Sequence, residues 1–186
     1  MEFKKLMVVL TLTVIILVMV SLGASFAWYS FSNSGTNFQT STANDDVTVT
    51  YTQDEYINTV TGVPITDDEI EAKASKNQFS VLAGTNLTGY QVAIQIMLTD
   101  ITIDDALKVD DFKYQLLENN QVIASGTGTT IGDNTTLIIK EQGNITVGTT
   151  YNYELRVWLA ETGVSQNELM GKSFSAQVKI ASTMKK

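Results

Sequence analysis

Hydrophobic and polar positions alternate along most of this chain, but its N-terminal part follows another pattern. Leu6 to Ala27 is an uninterrupted run of apolar and small residues, LMVVLTLTVIILVMVSLGASFA, preceded by Lys4 and Lys5 and followed by Trp28-Tyr29. Ser30 to Asp46 is rich in Ser, Thr, Asn and Gly, with Phe31 and Phe38 as isolated apolar positions. From Val47 onward the period becomes two, the signature of half-buried strands. Val47–Tyr51 alternates, and Tyr90, Val92, Ile94, Ile96 and Leu98 occupy every second place of the clearest strand. Phe112, Tyr114 and Leu116 repeat the pattern. Asn119-Asn120 then intervenes and Gln121–Ala124 resumes, which predicts a hairpin, because Asn tolerates positive φ. Tyr151, Tyr153, Leu155, Val157 and Leu159 share one face of a further strand, and Phe174, Ala176, Val178 and Ile180 one face of the last.

Helical signals are few. Thr66-Asp67-Asp68-Glu69 fits a capping box opening a helix that runs to about Ser75 and ends at Lys76-Asn77. A weaker helical turn is expected over Ile103–Leu107, with Asp104 and Asp105 at its start. Short strands separated by Gly/Asn/Thr turns predict a mainly β protein, an antiparallel β-sandwich of jelly-roll or Ig-like type with one short helix, preceded by an N-terminal hydrophobic helix. The expected organisation is 1–27 as signal peptide or membrane anchor, 28–46 as arm or linker, and 47–186 as the sandwich domain.

The apolar run admits two fates. Ser25 and Ala27 stand at the spacing a signal peptidase reads, with cleavage before Trp28. Its 22 residues also suffice to cross a bilayer, with Trp28-Tyr29 in the interfacial belt. Two lysines before it place the N-terminus inside, so the rest is expected outside the cytoplasm, secreted or anchored through residues 6–27.

Composition narrows the chemistry. The chain has no His and no Cys, which excludes cysteine nucleophiles, Ser-His-Asp triads, disulfides and the usual zinc ligand sets. Twelve Lys+Arg stand against 20 Asp+Glu, with Arg156 the single arginine, so nucleic acid is not an expected partner. No nucleophile elbow, zinc-protease or Walker motif occurs, and Gly126–Thr130 lacks the lysine of a phosphate loop and reads as a turn. The sequential acid pairs are not spaced as opposed glycosidase carboxylates. An enzyme is therefore not expected, nor an organic cofactor.

Three weaker candidates remain. Asp100, Asp104, Asp105, Asp110 and Asp111 lie within twelve residues between two strands, oxygen ligands for a calcium ion or a merely solvated acidic loop. Asn86, Asn134 and Asn144 head Asn-x-Thr triplets that could accept glycans. Tyr151 and Tyr153 fall on the inward face, whereas Trp158 is out of phase and reads as a contact surface.

Two stretches carry a resemblance. Gly23-Ala24-Ser25-Phe26-Ala27-Trp28-Tyr29-Ser30 resembles the export signals of Gram-positive surface and matrix proteins of the TasA/camelysin type, where small residues lead into an aromatic pair. Tyr153–Leu159, Met170–Phe174 and Gln177–Ile180 are similar to the closing stretch of singly anchored exported proteins of the same bacteria. The resemblance implies a jelly-roll-like sandwich, secreted or surface-anchored, and in the TasA group fibres built by donating the N-terminal strand to a neighbour. On that reading Trp28, Tyr29, Phe31 and Phe38 form the assembly arm, and the partners are further copies or other cell-surface components. The alternatives are a stalk for a membrane-anchored carbohydrate- or peptide-binding module, and a pilin-like subunit with a retained hydrophobic helix.

Overall fold

Residues 29–30, 47–52 and 54–185 are described by the computed structural model. The apolar run 6–27, the cleavage residues Ser25 and Ala27, and the arm positions Trp28, Phe31 and Phe38 lie outside them. Ten strands follow one another: β1 Tyr29–Ser30, β2 Val47–Tyr51, β3 Tyr56–Val60, β4 Ser75–Ala83, β5 Gln91–Ile103, β6 Phe112–Glu118, β7 Gln121–Thr127, β8 Leu137–Ile145, β9 Thr150–Leu159 and β10 Ser173–Lys185. They form two antiparallel sheets, β1-β10-β5-β8 with β3 also on β10, and β2-β4-β9-β6-β7.

The topology is that of one long hairpin wrapped on itself. β6 pairs with β7, β5 with β8, β4 with β9 and β3 with β10, each antiparallel. The eight strands are thus two arms folded back from the turn at Asn119-Asn120, with successive layers of the hairpin assigned alternately to the two sheets. This is the jelly-roll arrangement among the sandwich topologies, and it decides between the two types the sequence left open. Asn119 and Asn120 take φ of 49° and 67°, the left-handed values that Asn accommodates at low cost.

Burial follows the period of two. Ile96 and Leu98 of β5 stand opposite Ile180 and Val178 of β10, and Val92, Ile94, Phe174 and Ala176 of the same two strands are buried with them. From the other sheet Phe112, Tyr114 and Leu116 of β6 meet Tyr153, Leu155, Val157 and Leu159 of β9. Phe112 and Phe174 join the sheets, their rings 5.3 Å apart at 57°. Three strands had no clear signal in the sequence. In β3 only Ile57 is buried, and in β8 only Ile139 and Ile145, so neither shows sustained alternation. β4 puts Asn77, Phe79, Val81 and Ala83 inward, and it begins where the sequence suggested the helix would end.

The helix itself is shorter than expected. A 3-10 turn at Asp67–Glu69 leads into Ile70–Lys73, and Ala74 is already extended (ψ 146°). The Thr66 amide donates to the Glu69 carboxylate at 3.3 Å, the expected reciprocal cap. Asp105–Leu107 forms the second turn, with Asp104 accepting from the Ala106 amide at 3.2 Å. Gly126–Thr130 is not a simple turn: β7 continues to Thr127 and a short helix, Gly128–Ile131, follows. Gly128 has no substitute there, because a Cβ would lie 1.8 Å from the Leu107 carbonyl oxygen.

Candidate functional site

Val178 marks a boundary on the outer edge of β10. Its amide donates to the Glu55 carbonyl at 2.7 Å, and its carbonyl accepts the Tyr51 hydroxyl at 2.7 Å. On the Ser173 side of this point the edge is covered by β3, which pairs from Val60 opposite Ser173 to Tyr56 opposite Gln177. On the Lys185 side, alternate residues of a strand direct both backbone groups the same way, so Ile180, Ser182 and Met184 present theirs to this edge as Val178 does. Among the described residues only β1 pairs there, Tyr29 opposite Ser182 and Ser30 opposite Ala181. A two-residue strand therefore occupies an edge able to take a longer one.

Tyr51 closes the sandwich beside this edge. It reaches from β2 in one sheet to β10 in the other, and its ring continues into Phe79 (6.0 Å) and the Phe79–Tyr153 stack (5.3 Å, 23°). Burial, and then the charge of Glu55, push its phenol well above the ordinary tyrosine range, so it remains a hydroxyl donor. By contrast the β8 edge is irregular: its pairing with β5 shifts register between Val92 and Ile94 and between Ile96 and Met97, and Lys140 and Glu141 stand along it. Bulges and charges are the usual means of blunting an edge.

The five aspartates are not brought together. Asp100 lies within β5 at φ 50°, near the register shift opposite Ser175 and Gln177. Asp104 caps its turn and lies 3.9 Å from the Lys172 amine. Asp105 pairs with Lys108, which also reaches Asp133, each at 2.5 Å. Asp110 accepts from the Thr127 hydroxyl at 3.0 Å, and Asp111 from the Gln166 amide at 2.9 Å. The carboxylates of Asp104, Asp105, Asp110 and Asp111 are engaged with different neighbours, and among the described residues no group of three or more acids converges as a cation site.

Trp158 does not form the contact surface its phase suggested. It is 5 % exposed, packed with Ile65, Ile70 and Ala160 beneath the loop and helix that follow β3. Its indole N–H has no partner among the described residues. Tyr153 is buried with its hydroxyl donating to Gln142 at 2.8 Å, and the half-buried Tyr151 accepts from the Thr146 amide at 2.9 Å. Asn86, Asn134 and Asn144 all lie on the surface, with the Asn134 side chain donating to the Ile131 carbonyl at 2.8 Å.

Beside Trp158 runs a groove of about 780 Å³ on the outer face of the second sheet, floored by Lys113, Gln115 and Arg156 and walled by Asp67, Asp68 and Glu71. Arg156 is held there by Glu154. Burial alone would raise the Glu154 carboxyl, but hydrogen bonds from Gln78 and Arg156 and the charges of Arg156 and Lys76 outweigh it and hold the group below the ordinary glutamate range.

No family model and no curated protein matches the chain. Two solved structures are similar in part: a mutant Xylanase10C from Cellvibrio japonicus in complex with xylopentaose (TM-score 0.33, 8 % identity, 70 % of this chain and 27 % of that one), and dimeric latent PorU from Porphyromonas gingivalis (TM-score 0.29, 9 % identity, 86 % and 14 %). The chain spans roughly a quarter or less of either. Among the described residues no helix is long and apolar enough to cross a membrane.

Proposed function

We propose that this chain is a non-enzymatic, extracytoplasmic structural protein whose domains are linked when the N-terminal strand of one copy adds to the outer edge of β10 in the next. The observation that carries the reading is the pairing of Tyr29–Ser30 with Ala181–Ser182 on an edge that β3 leaves uncovered beyond Val178. Strand addition draws its affinity from main-chain hydrogen bonds, and this edge offers them at Ile180, Ser182 and Met184. Two paired residues give up little when they leave. The same bonds form whether the strand comes from its own domain or a neighbour's, so the balance is set by the 16 intervening residues between Ser30 and Val47 and by protein concentration. The Leu6–Ala27 run and the TasA-like residues around Trp28 support export or surface anchoring.

A native chain without cysteine makes this directly testable. Ser30→Cys and Ala181→Cys place thiols on registered partners. When the two single variants of the full chain, differing in mass by a tag, are mixed and oxidised, a mixed-mass dimer is expected. The double variant is expected to give a ladder of multimers on a non-reducing gel. If only the internally bridged monomer forms and the mixed dimer never appears, strand donation is wrong.

The groove over Lys113 and Arg156 favours a second reading, a surface-anchored module that binds a peptide or carbohydrate there. That reading expects a protein that stays monomeric and whose melting temperature rises with ligand.

A further inference from the structure

β1 has a direction, and resting on strand donation that direction orders the assembly. β1 runs antiparallel to β10, with Tyr29 at Ser182 and Ser30 at Ala181, so the chain leaving Ser30 heads toward the Ser173 end of β10. That end, here called the tip, gathers the connections β3–β4, β5–β6, β7–β8 and β9–β10. The opposite end, the base, carries the shorter connections 84–90, 119–120 and 146–149, and β2 begins there, with Val47 opposite Ala83. From Ala181 to the tip is eight residues of strand, about 26 Å. The 16 residues between Ser30 and Val47 reach at most about 53–58 Å. A strand donated to a neighbour leaves enough chain for its own domain's base to reach that neighbour's tip.

The tip is built to receive something. The loop after β3 is stitched between the two ends of the β9–β10 connection: Thr61 donates to Lys172 and accepts from Gly171, at 2.8 and 2.7 Å, and Glu161 donates to Ile65 at 2.9 Å. With the loop held in this way, four aliphatic side chains at the tip end of the domain stand exposed. Val63 is 73 % exposed, Val164 69 %, Val60 67 % and Met170 38 %, half of the large hydrophobic residues exposed among the described residues. Charge then selects what meets them. The four tip connections carry eleven carboxylates against three lysines, while the three base connections carry no charged residue. Two tips repel each other over a Debye length, whereas a tip and a base do not.

We propose that the Val60/Val63/Val164/Met170 tip of each domain is the seat for the uncharged base loops of the next copy, making a polar, head-to-tail array.

The test uses the full-length Ser30→Cys/Ala181→Cys protein and adds Val63→Asp with Val164→Asp. Both positions are largely solvent-facing, so the variant is expected to fold, with an unchanged circular dichroism spectrum. The readout is the protein concentration at which oxidation first yields the multimer ladder. Losing two valines that docking buries, and adding two charges to an acidic end, is expected to raise that concentration by about ten-fold or more. Ile138→Asp, an equally drastic change on β8 at 49 % exposure, is expected to leave it within about two-fold, which is under 0.5 kcal/mol. A ladder unaffected by the tip variant, or weakened equally by Ile138→Asp, overturns tip-to-base docking while leaving strand donation intact. Absence of any ladder in the parent overturns strand donation and this inference with it.

Discussion

Tyr51 shows how much one hydroxyl can be asked to do. It lies on the edge strand of one sheet yet supplies the hydrogen bond that completes Val178 in the other, and it anchors an aromatic row through Phe79 to Tyr153. Removing the hydroxyl in Tyr51→Phe leaves that carbonyl without its donor, so thermal or urea unfolding is expected to show a loss of about 1–3 kcal/mol. Its raised pKa fixes the sign of the pH response. The folded state holds the phenolic proton more tightly than the unfolded chain does, so the stability is fully present below about pH 10 and declines as pH rises above it. The Phe variant is expected to lose less stability between pH 9 and pH 11 than the parent; equal losses would show that this phenol does not set the alkaline limb. None of this was visible in the sequence, where Tyr51 is simply the last residue of an alternating strand. The partner is 127 residues away.

At the level of elements, the alternating strands were legible and the lid over them was not. β5, β6, β9 and β10 are where the period of two predicted them, because each has one face on the core and one on solvent. β3 and β8 escape notice because few of their residues are buried. Trp158 was assigned to the surface by phase, which is right for its strand; the segment between β3 and β4 then folds over that face. Ile65 makes a bridge to Ala160, and Ile70 rests on the indole. The lid has a testable cost. Ile70 is 8 % exposed, and Ile70→Ala is expected to lower unfolding free energy by about 2–4 kcal/mol, measured by denaturant titration. A change under 0.5 kcal/mol would mean that the helix is a loose flap and that Trp158 is accessible after all.

Across the whole molecule the asymmetry of charge is the dominant feature. The four tip connections carry eleven carboxylates against three lysines, whereas the connections 84–90, 119–120 and 146–149 carry no charge; Asp54 and Glu55 lie apart from both, in the β2–β3 crossing beside Val178. The part following Ala27 carries 10 basic and 19 acidic residues, so any two copies repel at long range. Raising salt from about 10 mM to about 150 mM shortens the Debye length from about 30 Å to about 8 Å. Assembly followed by light scattering is therefore expected to quicken with salt. Slower assembly in salt would indicate an interface made by opposite charges, contrary to an apolar tip on an uncharged base.

The β class, the places of the strongly alternating strands, the Asn119-Asn120 turn and the absence of His and Cys chemistry are written in the order of residues along the chain. These depend on local matters: which side chain follows which along an extended chain, and which residue tolerates positive φ. It took the folded arrangement of the strands to show that β3 lies on β10, that the aspartates of the β5–β6 connection take separate partners, that Trp158 is covered, and that Tyr29–Ser30 meets the stretch of β10 that β3 leaves open. Most of those outcomes join residues distant in sequence, Tyr29 with Ser182 and Ile57 with Ala176 among them, and the pattern of side chains along a strand specifies its faces but not its neighbours.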